Sequence, residues 1–487
     1  MSNPIKKLLG QSAVYGLSSI VGRLLNYLLV PLYTSVFANP SDYGVVSELY
    51  AWVAFLVVLL TFGMETAYFR FIHDSDDQDK VYKNSFLTVI GINILFFLLL
   101  LYFNQPIADL LLYQEHNEYI ILLGAIVCID AVTSLPLAKL RAEEKAKQFA
   151  GIQLISIGIN ILLNLFFMLY AFDPSRPDEG VLFILFSNLL ASLIKPLLLY
   201  KEFLSIQFSF DFKLAKTMLI FAVPLVIAGF AGIINETLDR ILLKHLLYDG
   251  QTLVSLKYAE GQVGIYSACY KLAMLVTIVL QAYRYAAEPF FFSQMKNVDK
   301  NKIYIRVMNI FIAFVTFVFL FVSLNIDIFK HFIRNEAYWV GLNVVPILLL
   351  ANVFLGIYYN QSIWYKLSQQ TKFGAYIAIG GAIITVLLNF IFIPYFSYMA
   401  SAWATLIVYA LQMVASYLLG QKHYPIAYNL RKFGLYLGLS LFLFLIAKLI
   451  SPENLYVRLI FNNVLIGFFL LVVYQLERKN LRVQTSE

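Results

Sequence analysis

The chain has 487 residues, of which 60% are hydrophobic and 13% charged, with a mean hydropathy of +0.75. Soluble domains carry about a quarter of charged residues, so this composition excludes one and points to a chain that lives in lipid. The net charge of +7 sits mostly between apolar segments, which reads as membrane topology and not as affinity for nucleic acid.

A helix that crosses a bilayer needs roughly 20 mostly apolar residues. Fourteen segments meet that length: 9–37, 44–69, 84–104, 118–138, 149–171, 180–200, 215–243, 262–287, 305–325, 339–363, 373–394, 398–420, 432–450 and 456–476. The first carries Arg23 and runs too far for a cleavable signal. The uncharged stretch from Lys372 to Lys422 is far too long for one span, and Pro394 with Tyr395, Phe396 and Ser397 is its natural break. The connection 244–261 is the longest one expected on its side of the membrane.

The connections test the number of segments. Basic residues cluster in every second connection, 25 on the rich side against 7 on the poor side, with Arg23, Arg240, Lys271 and Arg284 left inside segments. Lys195 belongs to the rich side and Lys244 to the poor side in this tally. The alternation holds throughout and predicts both termini in the cytoplasm.

An internal repeat runs through the chain. Gly44, Ser47 and Tyr50 recur as Gly264, Ser267 and Tyr270 at a spacing of 220, and Lys147 and Asn164 recur as Lys372 and Asn389 at 225. Each spacing separates segments six apart, an even number, so the copies share orientation and predict two parallel bundles with a cavity between them. The expected fold is an all-α polytopic membrane protein with six-helix lobes at 1–210 and 211–425, and a third part at 426–487 holding two extra helices and a tail.

These features together resemble the multidrug/oligosaccharidyl-lipid/polysaccharide exporter superfamily. The residues that carry the resemblance are Gly22-Arg23-Leu24 with Pro31, the turn Ser41-Asp42-Tyr43-Gly44, Pro224 and Thr237-Leu238-Asp239-Arg240 in the seventh segment, and Val263 to Ala273 closing at Glu288-Pro289 in the eighth. The last block is similar to that of polysaccharide-type flippases, which export O-antigen or capsule repeat units. The resemblance covers most of residues 10–420. It implies a V-shaped, alternating-access flippase of the bacterial inner membrane. Its implied substrate is an undecaprenyl-diphosphate-linked oligosaccharide, and its implied partners are membrane lipids, a polysaccharide polymerase and glycosyltransferases. The expected cofactor is none, with Na+ or H+ as the coupling ion. The lipid II flippase branch also has fourteen helices, and its acidic residue in helix 7 corresponds to Asp239. Segment 11 has no carboxylate to share such a sodium site.

A charge inside lipid is costly, so each intramembrane charge asks for a partner or a ligand. Arg23 lies roughly 22 Å into its helix, and its planar fork suits a diphosphate or a structural ion pair. Lys271 offers a point charge for phosphate, and Arg284 either anchors at the interface or captures a headgroup. Asn26 and Tyr270 are candidate sugar contacts. Asn188, Asn235, Asn309, Asn352, Asn360 and Gln361 line a cavity or bind helices to one another, and Tyr27, Tyr283 and Trp364 stack on sugars or pack. Asp239 and Asp130 are the candidate coupling carboxylates. Asp239 and Arg240 point about 100° apart, Glu236 can reach Arg240 at i+4, and Thr133 can satisfy Asp130. Glu65 and Glu288 are gate or cap residues.

No catalytic constellation is evident. Cys128 and Cys269 form no metal motif, and the five histidines lie in or near loops. The acidic run 74–79 lacks the glycine and closing glutamate of a calcium loop. No Walker A pattern is present. Three other readings stay open: a cation-coupled exporter of small molecules from the same superfamily, a lipid II flippase, and a membrane glycosyltransferase or ligase, which the short connections disfavour.

Overall fold

The computed structural model describes residues 20–72, 77–204, 210–296 and 298–482. Among these residues every regular element is helical and none is a strand. Thirteen helices are long and apolar enough to cross a membrane: α2 Pro40–Ile72, α3 Gln78–Tyr102, α4 Asn117–Ala142, α5 Ala146–Ala171, α6 Pro177–Leu198, α7 Phe212–Leu247, α8 Leu253–Phe292, α9 Lys300–Leu324, α10 Val344–Leu367, α11 Lys372–Phe396, α12 Tyr398–His423, α13 Leu430–Ile450 and α14 Leu455–Arg478. A shorter apolar helix, α1 Ile20–Val36, precedes them. It is the described part of the first expected span, whose residues 9–19 lie outside the described ones. Only helices satisfy every backbone group in lipid without help from neighbours.

Local chemistry explains most ends. Asn39 caps α2, its side chain accepting from the Ser41 N–H with Pro40 at the first turn. Asp77 and Asp211 cap α3 and α7 in the same way. Within α2, Phe62 and Gly63 take φ of 47° and 65°, which breaks the helix. Asn93 of α3 donates to the Leu60 carbonyl at 3.1 Å, one turn before that break, meeting a backbone acceptor that lipid would leave bare. Between α11 and α12 the turn is Ser397, at φ 50°, while Pro394 stays inside the last turn of α11.

One expected connection is largely helix. Segment 244–261 contains the end of α7 and the start of α8, leaving 248–252 as the link. Asp249 organises it by accepting from the Gln251 and Thr252 N–H groups. The charges of Lys244, Lys257 and Glu260 made this segment read as solvent-facing. The third connection on that tally also shifts, since Lys195 lies within α6.

By internal contacts the chain divides into two compact units, residues 1–264 and 265–487. The first takes in α7 and the opening of α8, a later division than the repeat alone suggests. In it α7 packs on α2 and α3, where an apolar core gathers Met64, Ala67, Tyr68, Val81, Phe86 and Met218. In the second unit α10 packs on α12 and α9 on α13. The extra pair is tied in by Lys432 and Tyr436 of α13, each 2.5 Å from Glu477 Oε1 of α14. At the opposite end of α14, Arg458 pairs with Asp327 at 2.8 Å and Asn462 donates to the Leu324 carbonyl.

Candidate functional site

The repeat residues Gly44 and Gly264 face one another where α2 crosses α8. A Cβ on Gly44 would stand 1.9 Å from the Glu260 carbonyl oxygen, and one on Gly264 would stand 1.9 Å from the Pro40 carbonyl oxygen. Pro40 and Glu260 are themselves 220 residues apart, so the contact is reciprocal. Backbone meets backbone here, and no larger residue fits without moving a helix.

One turn after Gly44 stands Glu48 of α2, one turn before Gly264 stands Glu260 of α8, and between the two lies Lys244 of α7. Lys244 and Glu48 are fully buried. The Lys244 Nζ donates to Glu48 Oε2 at 2.8 Å and to the Leu111 carbonyl at 3.0 Å, and approaches Glu260 Oε1 at 3.6 Å. The same ammonium sits 3.4 Å from the centre of the Tyr113 ring. Glu48 also accepts from the Tyr113 hydroxyl at 2.5 Å and from the Trp52 indole N–H at 3.2 Å. Burial, with the carboxylates of Glu48 and Glu260 close by, pushes the Tyr113 phenol well above its usual range. Leu112, at φ 63°, turns the chain between the Leu111 carbonyl and the Tyr113 ring that Lys244 meets.

Other charges of the first unit are paired too. Asp239 and Arg240 bond directly at 3.0 Å although they are neighbours in sequence. The Arg240 guanidinium also donates to the Glu236 carbonyl, while the Glu236 side chain is exposed, so the i,i+4 carboxylate pair is replaced by a backbone bond. Asp130 of α4 is bridged by Lys195 of α6 at 2.8 Å, and Thr133 bonds its backbone and not its carboxylate. Asn188 donates to the Tyr50 hydroxyl at 2.8 Å. Glu65 pairs with Arg141, whose guanidinium also lies over Phe69 and Phe149, so this expected gate residue ties α2 to α4. The side chain of Glu288 lies outside the described ones.

The expected headgroup ligands are placed differently. Arg23 and Asn26 are exposed on α1. Lys271 is half-buried in α8, and Arg284 is half-buried with its guanidinium 4.2 Å from the Tyr359 ring centre. Tyr270 is buried, its ring 5.8 Å from that of Tyr266. Of the amides, Asn352 binds the Ala273 carbonyl at 3.0 Å and Asn360 the Tyr283 hydroxyl at 2.5 Å, so both join helices. Asn309 and Gln361 line a cavity of about 180 Å³ with Tyr417 and Tyr428. Trp364 is buried, its N–H 3.3 Å from Ser416 Oγ, and Tyr283 stacks on Phe311, so both are packing residues. Cys128 and Cys269 are free thiols.

The triad of Glu48, Lys244 and Glu260 was not legible as a site. Its signal was spacing: Glu48 follows Gly44 by four, Glu260 precedes Gly264 by four, and Lys244 follows Arg240 by four.

This helical arrangement is the fold of the MOP superfamily of membrane transporters. The structure superposes on the lipid II flippase MurJ in an inward closed conformation with a TM-score of 0.72, at 14% identity over 94% of this chain and 98% of that one. An inward-facing MATE family multidrug resistance transporter of the MOP superfamily follows at 0.62 and 15%, over 83% and 94%. Within that fold, residues 8–296 match the family described as polysaccharide biosynthesis protein, more than half of the chain, and the chain belongs to that family. Protein 1 of the Lsg locus of Haemophilus influenzae is 22% identical over 296 residues, 60% of this chain and 67% of that protein. An uncharacterized membrane protein of the same organism is 21% identical over 59% and 66%. The matches thus span about two thirds of the length of these relatives.

Proposed function

We propose that this protein is a flippase that moves an undecaprenyl-diphosphate-linked oligosaccharide across the bacterial inner membrane, toward surface polysaccharide. The carrying observation is membership of the polysaccharide biosynthesis family by a chain that keeps unusual cations inside apolar helices. Arg23, Lys271 and Arg284 are the headgroup ligands in this reading, because a diphosphate accepts charge-assisted hydrogen bonds from such groups. Asn26 and Tyr270 contact sugar, and the carboxylates Asp239 and Asp130 belong to ion coupling. The polyprenyl tail stays in lipid while the headgroup crosses. Both termini face the cytoplasm, and a polymerase takes over the delivered units.

The test is complementation of a bacterium whose own repeat-unit exporter is deleted. The wild-type chain is expected to restore surface polysaccharide. Arg23→Ala and Lys271→Ala are expected to abolish it and leave lipid-linked precursor on the inner leaflet, at unchanged protein level. Arg23→Lys is expected to restore only part, because lysine lacks the bidentate fork. Full export by the Arg23→Ala, Lys271→Ala double variant would remove the headgroup site. Failure of the wild-type chain to relieve any precursor accumulation would remove the substrate.

A further inference from the structure

The cluster at the α2–α8 crossing carries two carboxylates and one ammonium, which leaves one negative charge unbalanced in a buried place. An unbalanced buried charge is expensive, and a protein avoids it by taking up a proton or by letting water in. The three groups are not equivalent. Glu48 accepts three hydrogen bonds, from Lys244, Tyr113 and Trp52. Glu260 has Lys244 at 3.6 Å, beyond hydrogen-bond distance.

The other charges that face Glu260 do not supply the missing one. Glu48 and Asp42, on α2, are carboxyl groups within its electrostatic reach, and Tyr119 of α4 is a phenol, so none of them brings a positive charge. Lys257, one turn earlier on α8, lies within reach of Asp42. His245, next to Lys244, turns its ring nitrogens to the carbonyls of Ile241 and Leu110. His116 faces Glu118 and Asp178.

We infer that Glu260 is a proton-binding site, and that α2 and α8 close on one another at Gly44 and Gly264 when that proton is bound. Deprotonated Glu260 restores the net charge, which is stable only where water reaches it, and water reaches it when the two helices part. Protonation and closure are then one equilibrium, each favouring the other. Among the described residues no group of three or more His, Cys, Asp or Glu could hold a metal ion, and the proton is set against sodium in the test. This inference rests on the transporter reading only for its consequence, that proton uptake at this end of the bundle accompanies one half of the transport cycle.

The test uses the full chain in lipid nanodiscs, with Cys128 and Cys269 replaced by alanine. Spin labels are attached through cysteines at the exposed positions Ala38 and Tyr258, beside the crossing. The distance between labels is measured by pulsed electron resonance from about pH 5 to about pH 9, a window that spans buried carboxylates. The ratio of close to separated pairs is expected to fall roughly ten-fold per pH unit through the transition, the factor by which a single carboxylate's protonation ratio changes. Glu260→Gln is expected to stay close at every pH. A wild-type distribution that does not change over this range would overturn the inference without any variant. So would a distribution that ignores pH and responds to sodium replaced by choline. Since no substrate is needed, a normal pH response in a chain that fails complementation would sink the flippase reading and leave this site standing.

Discussion

The two compact units solve the same problem with different chemistry. Beside amide bonds such as Asn93 to the Leu60 carbonyl and Asn188 to Tyr50, residues 1–264 hold ion pairs inside their spans: Lys244 with Glu48 and Glu260, Arg240 with Asp239, Lys195 with Asp130. Residues 265–487 join helices mid-span through neutral amides: Asn352 to the Ala273 carbonyl, Asn360 to Tyr283, and Asn389 to Ser401 at 2.9 Å. Their described ion pairs, such as Lys432 with Glu477 and Arg458 with Asp327, sit near helix ends. An amide bond to a carbonyl does not change with pH or with a passing ion. An ion pair does, because each partner can lose its charge or exchange its partner. The first unit is therefore the one whose described mid-span ion pairs can respond to protons.

The largest effect that separates them is expected at Lys244. Replacing it with methionine leaves Glu48 and Glu260 buried without a cation, and breaking a buried pair costs about 3–5 kcal/mol. Thermal unfolding in detergent, followed by loss of the monodisperse chromatographic peak, should show it. Adding Glu48→Gln and Glu260→Gln to Lys244→Met should recover most of the loss. If it does not, the cluster matters through packing and the contrast between the units weakens. Lys195→Met is expected to cost less, about 1–3 kcal/mol, because Asp130 is partly accessible and can be rehydrated or protonated. The same assay reads it, with Asp130→Asn in the Lys195→Met background as the recovery variant.

On the amide side, Asn352→Leu removes one interhelical bond and is expected to cost about 0.6 kcal/mol, the average for such bonds in membranes. The difference in melting temperature between Asn352→Leu and the wild-type chain should not change with pH. A larger and pH-dependent loss at Asn352 would break the comparison. The smallest effect lies at Asp249, which is solvent-exposed in the link before α8. Its carboxyl is held below the usual range by the N–H groups of Thr252 and Gln251. A lowered folded value gives stability that is present near neutrality and is lost as the pH falls below about 4. Asp249→Asn should erase that acid dependence, measurable as amide exchange in residues 249–252, and leave export intact.

Much of this fold was legible in advance because lipid imposes one rule on every span. The apolar lengths placed most helix ends within a few residues, α8 starting at Leu253 and not at 262, and Pro394 marked the turn now seen at Ser397. The repeat spacing of 220 was legible as well, but that its two glycines, Gly44 and Gly264, meet is visible only in the packing. The charged cluster was missed for the reason the helices were found. A hydropathy window treats Lys244, Lys257 and Glu260 as marks of an aqueous loop, when the helices run on through them and bury two of the three. Glu48 escaped notice because a lone carboxylate early in a span looks like an interfacial residue. Pairings such as Lys195 with Asp130 join residues 65 apart in sequence, and only the packing of α4 on α6 brings them together.

The reciprocal contact at Gly44 and Gly264 also bears on how such a chain arises. A contact in which each copy offers the same carbonyl and the same glycine is the contact of a two-fold homodimer. A half-length ancestor carrying one copy could have paired with itself through it, and duplication would have fixed the pair in one chain. Fusion then freed the copies to differ: position 40 became or remained proline and its counterpart, position 260, glutamate. A homodimer cannot place a carboxylate on one side of its own axis, so the asymmetric acid at 260 is a trait that requires two copies of different sequence.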